Sequence, residues 1–238
     1  MTGIGCARET SGRRRGLRES GQSLPEFLIV VPVFLFLLLL IFQLVLIYSA
    51  KITLDYAALE AARMGAVRNA DPDEMRKGLS RGLAPLYATD AGAAGTALAY
   101  ARARTDLRFN SRIEVISPTA AMWDAYSERQ YNGRRALPND SLAFRPDTVK
   151  GGEASVQDAN LLKIRVVYHY PLIVPFVDLV LRGRSEYVPS SGFLDPSNVD
   201  LRHPWLGGPI DSRHHRITLE SHAIVRMQTP VYERSYLP

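Results

Sequence analysis

Glu26 is a carboxylate at the entrance to a long apolar run. A carboxylate in that position has one obvious chemistry, which is pairing with a cation. No other charged residue occurs until Lys51, and only Gln43, Tyr48 and Ser49 between them are appreciably polar. A lone acid at mid-membrane costs about 2.5–3.5 kcal/mol on insertion scales, and less near the interface. That cost is a reason to find a positive partner. The plainer alternative is an interfacial acid that snorkels to water.

Other reactive side chains offer less. The histidines are His169, His203, His214, His215 and His222. His169 and His222 fall on the polar faces of two strand candidates and could meet on a metal if those strands pair. No His-x-x-x-His or cysteine ligand set supports such a site. The single cysteine, Cys6, precedes the apolar run, so the rest of the chain has neither a thiol nucleophile nor a disulfide. There is no Gly-x-Ser-x-Gly elbow and no Gly-x-x-x-x-Gly-Lys loop. No enzyme activity, metal or cofactor is therefore expected.

The element that carries Glu26 is membrane-length. Positions 27 to 50 would span roughly 36 Å as a helix, against a hydrocarbon core of about 30 Å. A buried core helix and a cleaved secretory signal are the alternatives. The run is longer than the roughly 7–15 apolar residues of a signal peptide, and Tyr48-Ser49-Ala50 is a poor cleavage site. Arg8, Arg13, Arg14, Arg15 and Arg18 outweigh Glu9 and Glu19 ahead of it. This excess places the N-terminus in the cytoplasm and everything beyond residue 50 outside. The formal charge of +5 includes a net +3 from residues 1 to 21, five arginines less two glutamates, which leaves +2. No electrostatic reason remains to expect nucleic acid as a partner.

Past the membrane the helix is expected to continue. Leu54, Ala58, Ala61, Ala62 and Gly65 fall on one face at helical spacing. A face of small side chains admits close approach by another helix, from a neighbour or from the chain's own head. Asn69-Ala-Asp-Pro72 supplies a stop, and Asp71-Pro72 starts a second helix carrying Met75, Leu79 and Leu83. A helix within Asp90–Arg104, a strand at Arg112–Ile116, a short helix through Trp123 and Tyr126, and loop from Asn132 to Gly152 are expected next. Leu162–Tyr170 and Arg216–Met227 alternate with period two, as strands of a half-covered antiparallel sheet do. Between them lie an apolar patch, Leu172–Leu181, and a long Pro/Gly loop, Pro189–Asp211. Trp205, in that loop, is a candidate exposed contact.

Gly21-Gln22-Ser23-Leu24-Pro25-Glu26-Phe27 resembles the cleavage site of class III prepilins: glycine, four residues, then glutamate and an aromatic. With Pro32, the leucine-rich span and Ala57-Ala58-Leu59-Glu60-Ala61-Ala62-Arg63, it looks like the TadE-type domain over roughly residues 18 to 68. The resemblance implies an α+β, type IV pilin-like fold, with a long N-terminal helix packed on a small antiparallel sheet. It implies cleavage by a prepilin peptidase between Gly21 and Gln22, with the four arginines from Arg13 to Arg18 holding the leader on the peptidase's side. Glycine suits that site because it brings no side chain into the cutting groups. The resemblance also implies that Glu26 pairs with the freed amine of a neighbouring subunit. Pro25 and Pro32 would loosen the first turns, though Pro32 could equally be a tolerated membrane proline.

The expected organisation is a leader at 1–21, a membrane and amphipathic helix at 22–70, a helical and irregular part at 71–158 and a β-rich part at 159–238. The implied role is a minor pseudopilin of a tight-adherence (Tad/Flp) pilus, acting in adhesion and biofilm formation. Its implied partners are the other Tad pilins, the inner-membrane assembly platform and the membrane itself. Two rivals stand beside it. One is a type II secretion or type IVa pseudopilin; the other is an uncleaved bitopic anchor displaying a periplasmic domain.

Overall fold

The computed structural model describes residues 23–149, 154–174, 177 and 216–238. The leader arginines, Gly21, Gln22, Trp205, three of the five histidines and the Pro189–Asp211 loop lie outside them. By internal contacts the chain divides between Leu38 and Leu39, within the first helix.

That helix, α1, runs from Ser23 to Val67. From Phe27 through Leu38 it is made of apolar side chains, and most of the large ones are exposed, including Phe27, Ile29, Val33 and Leu35. Its later turns are different. Ala50, Leu54, Ala57, Ala58, Ala61, Ala62 and Ala66 are fully buried or nearly so. Asp55 and Arg63 are exposed, which makes this stretch amphipathic. Asn69 and Ala70, both with positive φ (55° and 59°), end the helix. Ala70 N–H returns to the Gly65 carbonyl at 2.9 Å. Beyond the last turn, the backbone N–H groups of Gln228 and Thr229 donate to the Ala66 carbonyl at 2.9 and 3.1 Å. Free carbonyls at a helix end need such donors.

The Asp71 side chain accepts from Asp73 N at 2.9 Å and caps α2, Pro72–Leu83, with Pro72 at its first position. Met75, Gly78, Leu79, Gly82 and Leu83 form its buried face. A Cβ at Gly82 would fall 2.4 Å from Ala57 Cα, so α1 and α2 meet almost backbone to backbone there. Next comes α3, Ala93–Asn110. It extends six residues past the expected end at Arg104, because Asp106, Leu107 and Asn110 are buried against the rest of the head.

The strands β1 (Ser111–Ser117), β4 (Leu161–Pro171) and β5 (Arg216–Arg226) form an antiparallel sheet in the order β1-β4-β5. Leu162, Ile164, Val166, Tyr168 and Tyr170 of β4 are buried, and they share one core with the small residues of α1. The opposite face carries Arg165, Glu220 and His222. Arg165 Nη2 bonds Glu220 Oε1 at 2.5 Å. The fold is α+β, as expected, with the later half of α1 as the sheet's cover.

Between β1 and β4 lie α4 (Ala120–Tyr126), the two-residue strands β2 (Glu128–Arg129) and β3 (Arg135–Ala136), and α5 (Val156–Ala159). The segment expected as loop from Asn132 therefore contains one arm of a small hairpin. Its turn holds Gly133 at φ 77°. Two-residue strands are too short to show a period, which is why they escape a pattern reading.

Candidate functional site on the N-terminal helix

Glu26 sits in the first turn of α1 and is exposed. Among the described residues it has no ion-pair partner. Phe27 beside it is 65% exposed. Pro25 lies in the same first turn, where a missing N–H costs nothing. Pro32 lies inside the helix, which continues through it. Proline there leaves the carbonyl four residues earlier, that of Leu28, without its usual donor.

The small-residue face is occupied within the chain. Leu54, Ala58, Ala61, Ala62 and Gly65 are all buried. A Cβ on Gly65 would lie 2.8 Å from Met75 Cγ and 3.0 Å from Leu162 Cδ2. In this structure the chain's own head covers the face, a cover that could hold alongside a neighbouring subunit.

Two polar groups emerge that the pattern did not single out. The first is Gln43, which is fully buried. Its Oε1 accepts from the backbone N–H groups of Ile173 (3.2 Å) and Val174 (2.8 Å). The available signal was a lone amide in an otherwise apolar run. The second is Asp106 on α3. Its carboxylate accepts from Tyr87 OH at 2.5 Å, Tyr168 OH at 2.9 Å and Asn110 Nδ2 at 2.7 Å. Arg216 of β5 lies 3.6 Å away. Burial, reinforced by the Asp106 charge, pushes both phenols well above the usual tyrosine range. Burial alone pushes Tyr170 up to about 12. Asp106 is almost completely enclosed, with both oxygens occupied, so it ties α3 to the sheet and presents nothing to a substrate.

The strand pairing separates the two histidines that might have met. His169 stands opposite Thr218, and His222 stands opposite Arg165. Four residues along β4 is about 13 Å, so the pair cannot share one metal ion. His169 Nδ1 instead lies 3.2 Å from Thr218 Oγ1. Trp123 belongs to the head's packing: its Nε1 donates to the Val231 carbonyl at 3.1 Å, and Arg135 lies over its ring.

Residues 21–63 match the family described as TadE-like protein, the family that the sequence itself suggested. The matched stretch opens at Gly21, includes Glu26 and Pro32, and closes within the small-residue face. No curated protein and no solved structure matches the chain.

Proposed function

We propose that this chain, TadE-like through residues 21–63, is a minor pseudopilin of a Tad/Flp pilus system, with a structural and not a catalytic task. One observation carries the reading. An exposed acid, Glu26, opens a helix whose next 16 residues, Phe27 to Phe42, are all apolar. That helix is long and apolar enough to cross a membrane. An acid at the end of such a span is best satisfied by an amine from another subunit, and a cut after Gly21 would create one on Gln22. The basic leader would hold that bond at the cytoplasmic face, with the head outside. Prepilin peptidase, the other Tad pilins and the assembly platform are the proposed partners. Help in initiating or regulating a pilus for adhesion and biofilm formation is the proposed outcome.

The mass of the membrane-extracted protein tests this. Co-expression with a prepilin peptidase should remove residues 1 to 21, and Gly21→Ala should block the loss. An intact N-terminus beside an active peptidase would defeat the proposal and favour a simple bitopic anchor. Glu26→Ala should leave membrane insertion unchanged while reducing recovery of partner pilins in a membrane pulldown.

A further inference from the structure

We infer that the end of β4, at Leu172–Val174, is seated in the lipid of the leaflet on the head's side, and that Gln43 is the polar group that makes this depth tolerable. The inference rests on α1 as a membrane span but not on the pilus role.

The alignment of β4 along α1 comes first. Leu162, near the start of β4, packs at Gly65 of α1. At the other end, Ile173 and Val174 donate to Gln43. From Gln43 to Gly65 is 65 − 43 = 22 residues of helix, or about 33 Å. From Leu162 to Ile173 is 173 − 162 = 11 residues, or about 36 Å of extended chain. The two lengths agree, so β4 tracks α1 antiparallel and delivers the chain beyond Pro171 to the level of Gln43.

That level lies inside the bilayer. Lys51 is the first charge after the apolar run, and Tyr48, 69% exposed, is the aromatic that precedes it. Exposed aromatics and lysines of this kind mark the membrane–water interface. Gln43 lies five residues, about 7.5 Å, on the lipid side of Tyr48. Around it Ile41, Phe42, Leu44 and Val45 are 48 to 62% exposed, a girdle of large apolar side chains suited to hydrocarbon. A boundary drawn below Gln43 would leave only the 16 residues Phe27 to Phe42. Those make about 24 Å of helix, short of the roughly 30 Å core.

At such depth no water can satisfy backbone N–H groups. The sheet ladder ends with Pro171 opposite Arg216, so Ile173 and Val174 lie past it. Gln43 Oε1 accepts from both, so two backbone donors are satisfied and a single buried one, Gln43 Nε2, is left without a partner among the described residues. The side chains at 172–174 are Leu, Ile and Val and need no water. Arg216, the first described residue of β5, turns back toward the head: its Nη1 donates to the His169 carbonyl at 2.9 Å and faces Asp106. An arginine beside lipid snorkels in this way.

The test uses the full chain with Cys6→Ser and a nitroxide on a single cysteine, in vesicles of phosphatidylcholine and phosphatidylglycerol. Labels at Val174, Leu35, Tyr48 and Tyr131 are compared by their collisions with oxygen and with a water-soluble nickel chelate. Val174 should sit between Leu35 and Tyr48 in depth, with nickel access several-fold below that of the fully exposed Tyr131. Nickel access at Val174 equal to that at Tyr131, with Leu35 still in lipid, would overturn the inference and spare the span. A Val174 label shielded from both reagents would overturn it too, and a Leu35 label in water would overturn the span as well. Adding Gln43→Leu should leave Leu35 unchanged and raise nickel access at Val174 several-fold; no rise would remove Gln43 from the explanation.

Discussion

Two stretches of the same helix make opposite choices of side chain. From Phe27 to Leu38 α1 carries phenylalanine, leucine, isoleucine and valine, mostly exposed. From Ala50 to Ala66 its inward positions are alanine and glycine, with one leucine, all buried. A water-soluble helix would bury its large side chains and expose small or polar ones. The inversion shows that each stretch answers to a different surrounding. Lipid surrounds large apolar side chains without demanding shape. The cover formed by α2 and the sheet approaches so closely that only small side chains fit, as at Ala57 against Gly82.

The comparison breaks most readily at its tightest point. Ala57→Leu should destabilise the head by about 3 kcal/mol, since overpacking has no relief against the α2 backbone. Urea unfolding in detergent, followed by near-ultraviolet circular dichroism, reads the loss; an unchanged midpoint would mean that the contact is looser than it stands. Gly82→Ala adds a single carbon on the other side of the same contact. It should cost about 2 kcal/mol by the same measurement.

Alkali probes the polar part of the cover. The phenols of Tyr87, Tyr168 and Tyr170 are raised above the ordinary value of 10.0 in the folded head. The unfolded chain loses those protons first. Their stabilisation is therefore complete below pH 10 and is lost progressively as pH rises above it. Melting temperature should fall over that range, while tyrosinate absorbance of the folded protein lags behind that of the urea-unfolded chain. Coincident titrations would contradict the enclosed network. The smallest effect belongs to the exposed apolar stretch, Phe27 to Leu38. Leu35→Ala should change head stability by less than about 0.5 kcal/mol, because its site lies outside the packed core.

Local chemistry, which sequence records directly, determined a good deal. The uncharged run announces a span. Asn69 to Pro72 announces the break between helices, and period-two alternation marks both long strands, down to the exposed Ile224 that interrupts the polar face. The Gly21–Glu26–Pro32 spacing announced the TadE-like match of residues 21–63. Helix and strand periods, caps and charge runs depend on neighbours a few residues away, so they survive without the fold. Three-dimensional pairing decided the rest. Register alone sets His169 and His222 apart. Close approach of α2 covers the small face with this chain's own head. Gln43 meets Ile173 and Val174 across some 130 residues, and Asp106 meets Tyr168 across 62. A lone amide in an apolar run marks Gln43 as unusual, but its partner carries no local signature, because what fixes it is a donor brought from a distant segment by the packing of everything between.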